Sequence, residues 1–93
     1  MNLKRSLRLP NRFDFSYHTT FNKQCEELLS DKDGSDIELD FSQVQYLDSS
    51  ALGMLVLLSK KNSSKKKLII KGAQGAALDI LKMANMHKLY QLS

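Results

Sequence analysis

The sequence predicts an α/β protein: an open, mixed β-sheet with βαβ crossovers and about three packed helices. Three observations predict it. After residue 36 the chain alternates strand-like and helix-like segments, and such alternation gives right-handed crossovers and a sheet with a parallel portion. Ile37, Leu39 and Phe41 alternate with Glu38 and Asp40, the pattern of a half-buried strand. Leu68-Ile69-Ile70 is too short and too continuously apolar to be anything but a central strand. The 93 residues are read as one domain spanning 1–93, long enough for a core without staples.

The elements follow in order. Leu7-Arg8-Leu9 alternates as a short strand that ends at Pro10, and Pro10-Asn11 is turn chemistry. Two periods then compete. Phe13, Phe15 and Tyr17 alternate like a strand, whereas Tyr17, Phe21, Cys25, Leu28 and Leu29 recur like the buried face of a helix. The reading that reconciles them is an extended piece near 12–15, then a helix from about 17 to 30 with Ser16 as its N-cap. Residues 31–36 form a loop in which Gly34 is free to take a positive φ. After the strand at 37–41, Val44 to Leu47 leads to Asp48-Ser49-Ser50. Ala51 to Leu58 is apolar nearly all round, which predicts a helix buried on most of its circumference and running to about Lys61. Asn62 to Lys67 is a polar loop. Ala77, Ile80, Leu81 and Ala84 form one face of a helix from Ala73 to about Asn85, and residues 89–92 form a terminal strand. Met83 is placed in the core.

Charge narrows the function. The net charge is +4, but residues 26–48 hold eight acids against Lys32, and residues 60–71 hold six lysines and no acid. Polarised charge steers protein partners as readily as nucleic acid. No aromatic residue is interleaved with the lysines, so nothing there would stack on bases, and direct nucleic-acid binding is not expected. The longest apolar run is far below the roughly 20 residues a membrane span needs, and no secretory h-region follows the basic N-terminus. The expectation is a cytoplasmic protein without membrane insertion. One cysteine permits no internal disulfide, and Cys25, on an apolar helical face, reads as a buried structural thiol.

Asp48-Ser49-Ser50 raises the functional question. Any one of the three suffices as an N-cap for the apolar helix. Gly53, inside the first turn, costs about 1 kcal/mol relative to alanine, which suggests close backbone approach to the sheet or to a partner. Loops leaving the carboxyl ends of strands are where open α/β sheets build their sites.

Over "IELDFSQVQYLDSSALGML" (37–55) the sequence resembles STAS domains, in particular bacterial anti-sigma-factor antagonists. Asp40-Phe41-Ser42 and Asp48-Ser49-Ser50-Ala51-Leu52-Gly53 match that signature in order and spacing, with Ala51 where glycine is usual. "LPNRFDFS" (9–16) is similar to the family's upstream segment, with Asn11 at a glycine position and Asp14 at its aspartate. "KKKLIIKGAQGAALDILKMANMHKLYQL" (65–92) is similar to its later strand, helix and final strand. The resemblance implies a STAS fold and a phosphorylation site at Ser50. It further implies a partner-binding switch surface of Asp48, Ser49, Ala51, Leu52 and Gly53, supported by Asp40 and Asp14. The implied partners are an anti-sigma factor or serine kinase, bound when Ser50 is unphosphorylated, and a PP2C-type phosphatase. The alternative is a STAS accessory subunit of an ABC-type lipid-transport complex, without a phosphoswitch.

No enzyme activity, cofactor or metal is expected. Ser50 lacks the strained G-x-S-x-G elbow of a hydrolase, and His18 and His87 are the only histidines. No His, Cys and Asp cluster has ligand spacing, and no glycine-rich loop would cradle a nucleotide phosphate. Asp40 and Asp48 stand at strand ends as in a phospho-acceptor receiver, but the adjacent acidic pair of such a domain is missing.

Overall fold

The computed structural model describes residues 5–30, 36–62 and 66–93. Among them six strands and three helices follow in the order β1 (Arg5–Arg8), β2 (Arg12–Phe13), α1 (His18–Ser30), β3 (Ile37–Asp40), β4 (Tyr46–Leu47), α2 (Ser49–Lys61), β5 (Leu68–Lys71), α3 (Gly75–Met83) and β6 (Gln91–Leu92). A 3₁₀ turn at Phe15–Tyr17 leads into α1, and another at Met86–Lys88 precedes β6. The main sheet runs β1-β3-β5-β6, and β2 and β4 form a small separate pair. Every pairing among the described residues is parallel. The expected crossovers and three helices are present, with β5 central.

A monotonic strand order with right-handed crossovers places all helices on one face of the sheet. Burial agrees. Leu7, Leu39 and Ile70 stand in register across β1, β3 and β5 and join one core. Their neighbours Arg8, Asp40 and Lys71, also in register, are at least partly exposed. Phe21 and Cys25 of α1, Ala51, Met54, Leu55 and Leu58 of α2, and Ala77 and Leu81 of α3 complete the core. Burial pushes the Cys25 thiol up to about 12, so it stays protonated and inert at neutral pH. The buried Tyr90 hydroxyl donates to the Leu55 carbonyl at 2.6 Å and ties the C-terminal segment to α2.

Three expectations are corrected. Ser16 does not cap the first helix. Asp14 accepts from the Ser16 amide and caps the 3₁₀ turn, which begins earlier than the helical period suggested. Helix α2 is not buried on most of its circumference: Gly53 is exposed and Leu57 is 43% exposed, because the sheet covers one side and α1 only part of the other. Met83 is 82% exposed, whereas Met86 is 2% exposed. Helix α3 stops at Met83, and Asn85 turns the chain through a left-handed conformation (φ 62°) that brings Met86 inward. The loop expected at 31–36, with Gly34, and part of the polar loop after α2 lie outside the described residues.

Candidate functional site

The small β2–β4 pair positions the site. Its register is Arg12 with Tyr46 and Phe13 with Leu47, so the next residues on the two strands are Asp14 and Asp48. Each aspartate starts a helical segment. Asp14 Oδ1 accepts from the Ser16 amide at 3.0 Å, and Asp48 Oδ1 accepts from the Ala51 amide at 3.0 Å. Phe13 and Leu47 are buried in the core and fix both strands. Two helix starts are thereby brought together at one edge of the protein.

A groove of about 320 Å³ lies between them, lined by Phe15, His18, Asn22, Ser50, Met54 and Leu57 along with Gly53. Phe15 is 61% exposed and stacks on His18, with ring centroids 4.2 Å apart. The His18 ring is held in turn by a 2.8 Å hydrogen bond between Nδ1 and the Phe15 carbonyl. An exposed phenylalanine and an exposed leucine flanking one groove form the kind of apolar patch that marks interaction sites.

The expected site residues fall into place around this groove. Asp48 carries the cap. Ser49 is exposed, Ser50 is half-buried on the groove wall, and Ala51 points into the core. Among the described residues no side-chain hydrogen bond holds Ser49 or Ser50. Leu52 packs against the core from its margin. A Cβ on Gly53 would meet nothing within 4 Å, so the sheet does not require this glycine. Gly53→Ala is therefore expected to keep the fold at wild-type stability or raise it by up to about 1 kcal/mol, as measured by urea denaturation.

Asp40 and Asp14 support from the sides. Asp40 closes the turn after β3 by accepting from the Ser42 amide at 2.8 Å, and it meets Arg8 at 3.4 Å. Gly72 (φ 79°) presses on that turn, where a Cβ would come within 3.2 Å of Ser42. Hydrogen bonds from Ser42, with help from Arg8, hold the Asp40 carboxyl below its usual range. Ser16, then Arg12, do the same for Asp14, and Asp14 raises Arg12. The Arg12 guanidinium also lies 4.5 Å over the Tyr46 ring, linking the two strands. Because both folded-state values are depressed, the stability these aspartates add is present above about pH 4 and fades as pH falls through the folded values. An Asp14→Asn/Asp40→Asn double variant should be slightly less stable than wild type at neutral pH, and the gap should close in denaturation curves below about pH 3.

Asp40 and Asp48 are each engaged by their own turns rather than arranged as a receiver-like acidic pair. Among the described residues no group of three or more His, Cys, Asp or Glu is placed to hold a metal ion, and none of the helices is long and apolar enough to cross a membrane. Sequence reasoning missed the groove's other walls, Phe15, His18, Asn22, Met54 and Leu57. The signal was the conflict of periods around Phe15, which fits neither a buried strand nor a buried helix.

The STAS family model described as "Mlab, STAS domain" matches residues 4–92. The chain belongs to the STAS domain family. A crystal structure of a Thermotoga maritima protein, provisionally described as an anti-sigma factor antagonist, superposes on this STAS domain with a TM-score of 0.80 at 22% identity. It covers 99% of this chain and 80% of the Thermotoga chain. An NMR structure of the same protein gives 0.82 at 19% identity, covering 100% and 75%. At these identities the likeness is one of fold.

Proposed function

We propose that this STAS domain is a cytoplasmic, non-enzymatic interaction module of the anti-sigma-factor antagonist type, switched by phosphorylation of Ser50. The observation that carries this reading is the division of labour at α2. Asp48 caps the helix, and the Ser50 hydroxyl, free of side-chain hydrogen bonds among the described residues, stands on the wall of an open apolar groove. The unphosphorylated domain binds an anti-sigma factor, itself a serine kinase in the simplest arrangement, and a PP2C-type phosphatase resets the switch. A phosphoserine adds about −1.5 to −2 charges. Within the free domain two neighbouring helix starts tolerate that charge through their amides and dipoles. At an interface formed against the neutral hydroxyl, the same dianion beside Asp48 is repelled and poorly solvated. Gly53, which the fold does not need, fits a partner that comes close to the backbone, so Gly53→Ala should weaken binding without weakening the domain.

A second reading uses the same face. The exposed Phe15 and Leu57 would also suit a constant interface, as in an accessory subunit of an ABC-type lipid-transport complex with no phosphoswitch. A pull-down with wild-type and Ser50→Asp baits, read by mass spectrometry, separates the two. Recovery of a kinase or phosphatase by wild type, with the kinase lost by Ser50→Asp, supports the switch. Recovery of an ABC ATPase by both baits overturns it in favour of the accessory subunit.

A further inference from the structure

The described lysines after α2, Lys66 and Lys67, do not line the groove above. Lys66 and Lys67 follow the far end of α2, whose last residue, Lys61, is about 17 Å along the helix from Ser50. There a cleft of about 610 Å³ opens between the end of α2, the start of β5 and the Met86–Lys88 turn. Lys66, Lys67, His87 and Lys88 line it with Ser59, Asn62 and Gln91, and the described lining holds no acidic side chain.

Lys66 is the unusual member. It is only 7% exposed, the one buried charged residue among the described residues. Its backbone is clamped by Asn62, whose Nδ2 donates to the Lys66 carbonyl at 2.7 Å and whose Oδ1 accepts from the Lys66 amide at 3.0 Å. Among the described residues nothing pairs with its ammonium. Among the described residues no side-chain nitrogen or oxygen sealed from solvent lacks a partner, so an ammonium without a partner must reach solvent, and Lys66 lines the cleft. Burying a lysine stem while leaving its charge without a counter-ion is costly unless the charge meets a ligand or water. The dipole at the end of α2 does not account for the cluster. It amounts to about half a charge, and Lys60 and Lys61 already stand in the last turn of the helix.

We propose that this cleft binds a phosphate-bearing anion, with Lys66 as the buried anchor and Lys67, His87 and Lys88 as the rim. A phosphate ester supplies several acceptor oxygens and more than one negative charge, which suits a cleft lined by several lysines. Both a free phosphate compound and the phosphate of a lipid headgroup have this chemistry.

The test has two arms on the full chain: calorimetric titration with inorganic pyrophosphate, and co-sedimentation with phosphatidylglycerol against phosphatidylcholine vesicles. Lys66→Met keeps the buried stem and removes the charge, and it should lower affinity about ten- to hundred-fold. A Lys67→Gln/Lys88→Gln variant provides the same test at exposed positions should Lys66→Met fail to fold. Lys71→Met, on the other face of the sheet, should bind like wild type. Binding of pyrophosphate alone identifies a free phosphate compound, and binding of phosphatidylglycerol vesicles alone identifies a headgroup. Absence of binding in both arms, or an equal loss in Lys71→Met, overturns the proposal.

Discussion

A Ser50→Asp variant is expected to bind the protein's regulatory partner at least about a hundred-fold more weakly than wild type, while unfolding at nearly the same urea concentration. The two halves of this expectation have different causes. Within the domain, residue 50 lies in the first turn of α2, where an added carboxylate gains roughly 0.3–1 kcal/mol from the helix dipole. Repulsion from Asp48 offsets part of that gain, so the net change in stability is small. At the interface there is no such compensation. A charge pressed beside Asp48 against a surface shaped for a hydroxyl costs about 3–4 kcal/mol, and every 1.4 kcal/mol is tenfold in affinity. Phosphoserine, with about twice the charge of aspartate, should bind more weakly still. Ser50→Ala keeps the neutral surface and should bind like unphosphorylated wild type. Calorimetry with the recovered partner measures the affinities, and a Ser50→Asp affinity within threefold of wild type would contradict the account.

Phe13→Ala is expected to be the most damaging single change to the fold. Phe13 is fully buried and is where three rings meet: Phe21 at 5.3 Å, and Tyr17 and Phe41 each at 6.0 Å between centroids. It also fixes β2, and through β2 the Asp14 turn and the groove. Truncating a buried phenylalanine costs about 3–5 kcal/mol, and the edge-on ring contacts are lost with it. A small domain has about 5–15 kcal/mol in total. The variant should therefore show a strongly lowered urea midpoint and a partly unfolded population at physiological temperature. Phe13→Leu, which keeps most of the volume, should lose clearly less. A loss below about 1 kcal/mol for Phe13→Ala would mean that the aromatic cluster does not organise this end of the protein.

The fold was legible where a local pattern and its tertiary environment agree. Ile37, Leu39 and Phe41 alternate because one face of β3 meets the helices; Leu68 and Ile70 meet the same core from β5, while Ile69, 5% exposed, stands outside that cluster. The start of α2 was legible because Asp48 is both a strong cap and part of a dense motif. The errors share a different cause. The apolar run from Ala51 to Leu58 says that α2 is greasy, but only the arrangement of neighbours decides which side is covered, and Leu57 is left in the open. Met83, expected in the core, lies on the open side of α3, and Met86 turns inward after a single left-handed residue, Asn85, ends the helical phase. Asparagine shortly after a helix is a known C-terminal signal and was the available clue. Asp14 was assigned a supporting role from resemblance, but its capping of the turn before α1 needs the β2–β4 register to become visible. The groove left only the conflict of periods around Phe15 in the linear sequence, since its walls come from the turn before α1, from α1 and from α2, which meet only in the fold. The buried Lys66 was equally hidden, because a run of lysines reads as a solvated loop until one of them is seen to be only 7% exposed.

The central claim is that Asp48 holds the helix and thereby leaves Ser50 to carry the signal. Incubating the protein with its cognate kinase and mapping the modified residue by tandem mass spectrometry tests it most directly. The account predicts one phosphate, on Ser50, and none on the Ser50→Ala protein. A phosphate on Ser49 or elsewhere, or a Ser50→Ala protein modified as fully as wild type, would contradict it.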